Sequence, residues 1–271
     1  MDKRIGIIGT GFMGSAMIKA LCNSAEVDNS NVYIFDVDFD KAKNISNELG
    51  VNAVDDVKKL VECSDIVVLA VKPNIVGIVL EDIKDLISDK ILASFAVGVP
   101  VSFYEGIIGD DKKVVRTMPN TPMTVGEGMT IVTFNSNISD GDKGEVISMF
   151  ELTGKVSELS ESLMTEVTAL TGSSPAYVYM FIEAMVEGAI KQGIPGEIAT
   201  ELAAQTVYGS AKMVLETGVE PSELRDNVCS PNGTTIRAVE SLEKNGFRYD
   251  IIEAMNECTK RGKEIEKDMR G

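Results

Sequence analysis

Six short runs of apolar, largely β-branched residues follow one another through the first half of the chain. Several are apolar at consecutive positions, which is typical of strands buried on both faces of a sheet. Helix-like segments such as Phe39–Leu49 and Asn74–Ile87 separate them. The runs are Ile5–Ile8, Val32–Phe35, Ile66–Val71, Ile91–Val97, Val114–Met118 and Met129–Phe134. This alternation predicts an α/β domain with a doubly wound, mainly parallel sheet, which we place at residues 1–165.

From about Glu166 the pattern becomes almost entirely helical, and we assign residues 166–271 to an all-helical domain. Helix stops are expected at Thr217-Gly218 and Asn245-Gly246. Between Pro175 and Ile190, apolar residues occupy almost every helix face, and such a helix must be buried on all sides. A region of about 105 residues is small for surrounding such a helix completely, which indicates that the helix is buried against a second subunit. A central helix in a self-contained bundle is the alternative.

The composition excludes several classes of function. Histidine is absent, so Ser-His-Asp and Cys-His triads and histidine-ligated metals are excluded, and no metal is expected. Lysine and arginine number 26 against 42 acidic residues, a net charge of −16. That charge disfavours nucleic acids and anionic membrane surfaces as partners.

The expected compartment is the cytoplasm. The chain has no stretch of 18 uninterrupted apolar residues, so no membrane span is expected. Its four cysteines are scattered without C-x-x-C spacing, which favours reduced thiols.

A glycine-rich loop follows the first run directly and leads into a helix. The loop reads Gly9-Thr10-Gly11-Phe12-Met13-Gly14. In a strand–loop–helix context, the first glycine permits the tight turn, the second lets a pyrophosphate approach the backbone, and the third lets the helix pack on the strand. The helix N-terminus adds free N–H groups for the phosphates. This predicts a Rossmann dinucleotide site, the alternative being glycines that serve only a turn.

Asp36 ends the second run, 22 residues after Gly14. A carboxylate there accepts hydrogen bonds from the adenosine ribose and repels a 2′-phosphate, which tilts the expected cofactor from NADPH towards NADH. An ordinary turn carboxylate is the rival interpretation. Lys41 and Lys43 remain candidates for meeting a 2′-phosphate.

Several motifs in this order resemble the pyrroline-5-carboxylate reductase family over essentially the whole chain. In the first domain they are the Gly9–Gly14 loop, Ala70-Val71-Lys72-Pro73 and Met118-Pro119-Asn120-Thr121-Pro122. In the helical region they are Gly172-Ser173-Ser174-Pro175-Ala176-Tyr177, Gly209-Ser210-Ala211-Lys212-Met213 and Ser230-Pro231-Asn232-Gly233-Thr234-Thr235.

The resemblance implies reduction of the C=N bond of L-1-pyrroline-5-carboxylate to L-proline by hydride from NADPH or NADH, the final step of proline biosynthesis. It also implies a Rossmann domain followed by a helical domain that forms a homodimer by interleaving its helices. Dimers of the family often assemble into a ring, with each active site formed where two subunits meet. The expected partners are the cyclic imino acid and further copies of the chain.

The resemblance also implies the site residues. The cofactor contacts fall on Gly9, Thr10, Gly11, Phe12, Met13, Gly14, Ala70, Val71, Lys72, Pro73, Ala96, Val97 and Asn120, to which the residue pattern adds Asp36. The substrate contacts fall on Glu161, Asn227, Ser230, Gly233, Thr234 and Thr235. Thr235 is the expected catalytic residue, because its hydroxyl would hydrogen-bond the ring nitrogen.

Two positions depart from the family pattern. Asp36 stands where the family usually has a serine- or arginine-containing turn suited to NADPH. Asn232 replaces the first glycine of a common Ser-Pro-Gly-Gly sequence; because asparagine tolerates a positive φ, we expect the loop to survive.

The expected chemistry suits a chain without histidine. The imine nitrogen can take its proton from solvent before binding, so the protein's task is to place two reactants and stabilise charge. Backbone N–H groups where Gly233-Thr234-Thr235 enters a helix would hold the substrate carboxylate. A purely structural role for Thr235, capping that helix, is the alternative.

Two other functions are open at this stage. A hydroxyacid dehydrogenase, or a deazaflavin-dependent relative, would share the domain order; the former would need a lysine base, for which Lys191 and Lys212 are the candidates. A non-catalytic dinucleotide sensor would bind cofactor without turnover.

Overall fold

The computed structural model describes residues 2–270, except the side chains of 269 and 270, and its packing divides the chain into two compact units. The first contains the residues up to Ser173 together with those from Cys258 onward, and the second contains Ser174–Glu257. The division into domains at 1–165 and 166–271 stays a prediction. The return of the C-terminal residues to the first unit is a feature that the sequence pattern did not indicate.

The first unit is built on one eight-stranded sheet. Its strands are β1 (Ile5–Ile8), β2 (Val32–Phe35), β3 (Asn52–Ala53), β4 (Ile66–Leu69), β5 (Ile91–Ser94), β6 (Lys113–Met118), β7 (Gly128–Phe134) and β8 (Gly154–Glu158). They lie in the order β3-β2-β1-β4-β5-β6-β7-β8. Neighbours are parallel except β6 and β7, which are antiparallel. The doubly wound, mainly parallel sheet is confirmed.

Helices connect the strands and cover both faces of the sheet. They are α1 (Phe12–Asn23), α2 (Phe39–Leu49), α3 (Val57–Cys63), α4 (Pro73–Ile83), α5 (Val101–Ile108), α6 (Asp140–Glu151) and α7 (Met164–Val167). On one face Ile7 packs in a buried cluster with Leu21 of α1. On the other face Val67 packs in a second cluster with Leu80 of α4. Strand residues that point to opposite faces are both buried, which explains the continuous apolar runs.

Two strands end earlier than predicted. β4 stops at Leu69 and β5 at Ser94, so Ala70-Val71 and 95–97 lie beyond the sheet. The runs at 66–71 and 91–97 were therefore assigned too long. One ladder bond continues past each strand, from Ala70 N–H to the Ile8 carbonyl at 2.9 Å and from Phe95 N–H to the Leu69 carbonyl at 3.0 Å. The chain then turns away at the carboxyl edge of the sheet.

The second unit consists of helices and their connections. The helices are α8 (Ser174–Lys191), α9 (Gly196–Thr217), α10 (Pro221–Val228), α11 (Thr234–Lys244) and the first part of α12 (Phe247–Arg270). The predicted stops are confirmed: Gly218 ends α9 with a φ of 65°, and Asn245-Gly246 follows α11 with a φ of 85° at the glycine.

Very little of the second unit is buried within one chain. Among its residues, all of which the structure describes, only Ala199 and Ala203 are buried. In α8 no residue is buried, and the large side chains of Tyr179 and Met180 are exposed. A self-contained bundle around this helix, the alternative considered from the sequence, is therefore wrong.

The last turns of α12 pack with the first unit. Gly98, with a φ of 76°, lies so close that a Cβ there would come within 2.7 Å of Ile265. The Thr165 hydroxyl donates to the Glu266 carboxylate at 3.0 Å. These contacts join the chain's end to the loop after β5 and to α7.

Two further features concern the helices and the cysteines. Within residues 2–270, no helix combines the length and the apolar character that a membrane crossing requires. All four cysteines are free thiols.

Candidate active site

The three glycines of the loop after β1 have different surroundings. Gly9 has a φ of 98°, and a Cβ there would lie 2.8 Å from the Ala70 carbonyl oxygen. A Cβ on Gly14 would overlap the Gly9 carbonyl oxygen, whereas a Cβ on Gly11 would meet no heavy atom within 4 Å. The loop therefore has no room for a side chain at its first and third glycines, which we call closed, and has free space at its second, which we call open. That arrangement fits a dinucleotide, whose pyrophosphate must approach the backbone at the second glycine.

The helix N-terminus at this loop is free to receive an anion. Gly11 is the N-cap of α1, and no side chain caps the helix. Its first N–H groups, with the positive end of the helix dipole, therefore remain for a phosphate. Of the predicted loop residues, Phe12 is exposed, Met13 packs partly against the core and Thr10 is fully buried.

A pocket of about 350 Å³ adjoins this loop at the carboxyl edge of the sheet. It brings together many of the predicted cofactor residues: Gly9, Gly11, Asp36, Ala70, Val71 and Lys72. Lys41 also lines it, and Lys43 does not. Pro73 begins α4 with Lys72 as its N-cap. A largely apolar pocket beside an open helix N-terminus suits the adenosine part of a dinucleotide.

Asp36 is held firmly at this pocket. Its Oδ2 accepts from the Thr10 N–H at 2.7 Å and the Thr10 hydroxyl at 2.8 Å, and its Oδ1 accepts from the Asp38 N–H at 3.1 Å. Partial burial by itself raises the pKa of Asp36, but the hydrogen bonds from Thr10 and Asp38 outweigh it and hold the pKa below its usual value. Asp36 is therefore a fixed, ionised carboxylate.

The other predicted cofactor residues lie after β5 and β6. The Ala96 N–H donates to the Ser94 hydroxyl at 3.2 Å, and that hydroxyl also accepts from the buried Tyr104 hydroxyl at 2.7 Å. Val97 follows in the same loop. The Asn120 amide donates to the Thr171 carbonyl at 3.0 Å and accepts from the Met129 N–H at 2.9 Å. The Asn120 side chain thus orders its own loop, and its contact with a cofactor stays a prediction.

Glu161, a predicted substrate residue, makes two contacts in the first unit. Its Oε1 accepts from the Val101 N–H at the start of α5 at 2.6 Å and from Arg116 Nη1 at 3.2 Å. Arg116 is only 1% exposed. These contacts give Glu161 a structural task, namely to pair a buried guanidinium and cap α5. The charge inside the apolar Val114–Met118 run was the one signal of a buried ion pair in the sequence.

The predicted substrate loop of the second unit connects α10 to α11. Asn232 adopts a φ of 58°, so the loop tolerates asparagine at the departure from the family pattern, as expected. The Gly233 N–H donates to the Ser230 carbonyl at 3.0 Å. Gly233 is the N-cap of α11, and no side chain caps that helix. Thr235 lies within its first turn, so the alternative role of helix cap is wrong and the first N–H groups stay free for an anion.

Asn227 lies near the end of α10, in a groove of about 460 Å³ between α9 and α10. It does not share this groove with Ser230, Thr234 or Thr235. The lysines that a hydroxyacid dehydrogenase would need are solvated: Lys191 and Lys212 lie 4.0 and 3.5 Å from Glu187 and Glu216 in exposed ion pairs. Neither lysine lies in the buried surroundings that are typical of a lysine acting as a general base.

Known proteins resemble both regions of the chain. Residues 161–265 match the family model described as pyrroline-5-carboxylate reductase dimerisation, and residues 4–98 match the one described as NADP oxidoreductase coenzyme F420-dependent. Pyrroline-5-carboxylate reductase of Escherichia coli is 41% identical over 268 residues, which is 98% of this chain and 100% of that protein.

The chain belongs to the pyrroline-5-carboxylate reductase family.

Solved structures agree with this assignment. A Plasmodium falciparum pyrroline carboxylate reductase with NADP bound has a TM-score of 0.90 and 34% identity, covering 98% of each chain. A pyrroline-5-carboxylate reductase from Coxiella burnetii has a TM-score of 0.91 and 34% identity, covering 98% of this chain and 99% of that one. The predicted family, fold class and nicotinamide-dependent oxidoreductase chemistry are confirmed, and residues 161–265 contain the family's dimerisation domain.

Proposed function

We propose that this protein reduces L-1-pyrroline-5-carboxylate to L-proline with hydride from NADH or NADPH. Relatives that match the full chain carry the name of this reaction, and the Plasmodium relative holds NADP. The observation that carries the proposal is the loop in which Gly9 and Gly14 are closed and Gly11 is open. A turn that served structure alone would not need an open glycine at an uncapped helix N-terminus.

The first unit would bind and orient the cofactor. The pyrophosphate would lie on the N–H groups at the start of α1, and the adenosine would occupy the pocket lined by Asp36, Ala70 and Lys72. The bound nicotinamide supplies the hydride. The nicotinamide would lie against Ala96, Val97 and Asn120. The hydrogen bonds of Ser94 order the loop that contains Ala96 and Val97.

The second unit would hold the substrate. The carboxylate of the imino acid would lie on the free N–H groups at the start of α11, beside Gly233 and Thr234. The Thr235 hydroxyl would hydrogen-bond the ring nitrogen, and Ser230 and Asn227 would make further substrate contacts. The nitrogen takes its proton from solvent, so no histidine is needed. Such a local anion site would let a chain with a net charge of −16 bind an anion.

We propose that the oligomer is a homodimer with interleaved helices from the second unit, and that dimers form a ring. The exposed apolar residues of α8 and α9 support such a partner surface. We place the protein in the cytoplasm, where the free thiols of its four cysteines would stay reduced.

The test is a spectrophotometric assay of NADH and NADPH oxidation with the cyclic imine. We expect imine-dependent turnover with at least one nicotinamide. A matched assay with small 2- and 3-hydroxyacids and the oxidised cofactors should give none. A protein that binds the dinucleotide but reduces no imine would be a sensor, and the proposal would be wrong.

A further inference from the structure

We propose that Thr10 and Asp36 form a fixed carboxylate that selects NADH over NADPH, with Asp36 as the selecting group and Thr10 as its positioning residue. This inference rests on the proposed use of a nicotinamide cofactor. It adds a specific task for Thr10, which the glycine motif leaves as an arbitrary residue between Gly9 and Gly11.

Thr10 is fully buried, so its side chain has no solvent partner. Its backbone N–H and its hydroxyl both donate to Oδ2 of Asp36, at 2.7 and 2.8 Å. The Thr10 carbonyl accepts from the Ser15 hydroxyl at 2.8 Å, which ties the same peptide to α1. Two donors from one rigid residue fix the direction of the carboxylate, because a rotation of Asp36 breaks both bonds.

The hydrogen-bond capacity of Asp36 favours a ribose hydroxyl. An ionised carboxylate has about four acceptor positions. The bonds from Thr10 use two on Oδ2, and the bond from the Asp38 N–H uses one on Oδ1. About one position on Oδ1 remains for a donor. The 2′-hydroxyl of NADH is a donor, whereas a 2′-phosphate brings acceptor oxygens and negative charge.

Asp36 is placed where this choice can be made. It lines the same pocket of about 350 Å³ as Gly11, where the phosphates would lie. Lys41 and Lys72 also line the pocket and would attract a 2′-phosphate. Lysine side chains are flexible, however, and can keep their ammonium groups in water. The carboxylate is held by three hydrogen bonds and is partly buried, so it cannot move away from an added phosphate.

The experiment measures dissociation constants of NADH and NADPH by calorimetry, without imine, for the whole protein and four variants. The wild type should bind NADH at least as tightly as NADPH. Asp36→Ser should move the ratio of the two constants towards NADPH by about ten-fold or more, since it removes a charged hydrogen-bond acceptor and a repulsion. Thr10→Val keeps the shape, loses the hydroxyl, and should move the ratio the same way by a smaller factor.

Thr10→Ser keeps the hydroxyl and should restore the wild-type ratio, which a merely structural role for Thr10 would not require. Lys43→Met is the matched control: it removes a nearby charge that does not line the pocket, and the ratio should not change. Melting temperatures confirm that each variant is folded.

A wild type that clearly prefers NADPH, or an unchanged ratio in Asp36→Ser, would overturn the inference. An unchanged ratio in Thr10→Val would overturn the role of Thr10. Binding of neither dinucleotide would contradict both this inference and the proposed function. The expected ratios without any imine turnover would leave this inference standing and contradict the proposed function alone.

Discussion

The strands at the centre of the sheet and the helices of the second unit use apolar residues in opposite ways. Every residue of β1, β4 and β5 is buried within one chain, whereas no residue of α8, α10 or α11 is buried. The first unit completes its core alone. The second presents Tyr179, Met180 and Leu202 to the surroundings, in a segment that matches a dimerisation model. The stability of the second unit should therefore depend on another copy of the chain, and that of the first should not.

The largest effect is expected from a charge in the exposed apolar surface of α8. Met180 and Ile78, on α4 of the first unit, are exposed to a similar degree, 67% and 63%. Met180→Asp should abolish assembly, because burying an unpaired carboxylate at an interface costs several kcal/mol. Ile78→Asp should leave assembly and melting temperature nearly unchanged. Light scattering and thermal melts at several protein concentrations measure both.

If Met180→Asp and Ile78→Asp have the same effect on assembly and melting temperature, the two units do not differ in their dependence on a second copy of the chain. A wild type that is a folded, active monomer at micromolar concentration would contradict it as well.

A pair of glycine variants separates folding from cofactor binding within the first unit. Gly14→Ala should destabilise the protein by about 1–3 kcal/mol or more, because its Cβ overlaps the Gly9 carbonyl oxygen. Gly11→Ala should keep the wild-type melting temperature, since its Cβ meets nothing, and should weaken dinucleotide binding. Thermal melts and calorimetry decide the matter. Equal destabilisation by both variants would show that the open position at Gly11 has no relation to a ligand.

Thr235 tests whether the second unit contributes chemistry as well as contacts. Loss of a hydrogen bond to a charged or polarised group costs about 1.5–3 kcal/mol. Thr235→Ala should therefore lower kcat/KM by roughly ten- to 150-fold. Thr235→Val should be comparably poor and Thr235→Ser nearly normal, with all three melting like the wild type because Thr235 does not cap α11. Wild-type turnover in the Ala and Val variants would remove Thr235 from the catalytic site.

The smallest effect concerns an ion pair of the first unit and its dependence on pH. The bidentate hydrogen bond from the Arg4 side chain lowers the pKa of Asp65 from its usual 3.8 to about 2. A lowered folded-state pKa stabilises the protein above pH 4, and this contribution is lost as the pH falls towards 2. Because the pair is partly exposed, we expect about 1 kcal/mol or less.

Asp65→Asn should melt below the wild type at pH 6, and the difference should shrink towards pH 2 at every protein concentration. If the difference in melting temperature changed with protein concentration but not with pH, the Arg4–Asp65 pair would contribute to assembly and not to the stability of the first unit alone.

Features set by neighbouring residues were predictable from the sequence. The strand, the glycine loop and the start of α1 follow one another directly, and Gly218 ends α9 by its own backbone freedom. The end of β4 was not predictable, because Ala70 and Val71 line a pocket beyond the sheet. The end of β5 was not predictable, because Phe95 and Ala96 are buried although they lie beyond the strand. The residue types alone do not show whether an apolar residue belongs to a strand or lies beyond it.

Contacts between distant residues were also out of reach. Arg116 is buried because Glu161, 45 residues later, pairs with it, and the Asn120 amide is bonded to Thr171 and Met129. The resemblance to a family named Glu161 and Asn120 as site residues, yet it carried no information on the residues that hydrogen-bond to them. The hydrogen bonds between Thr10 and Asp36 were hidden in the same way, since they connect two loops.

The return of α12 to the first unit has a consequence for the order in which the protein is made. A ribosome adds about 5–20 residues per second, so roughly 4–17 seconds separate the synthesis of Ser173 from that of Cys258. During that interval the loop at Gly98 exists without Ile265, its neighbour in the finished structure. The loop after β5 therefore gains this contact only after residues 99–264 have been made. Removal of the chain from Ile265 onward would thus affect a part of the protein that is translated early.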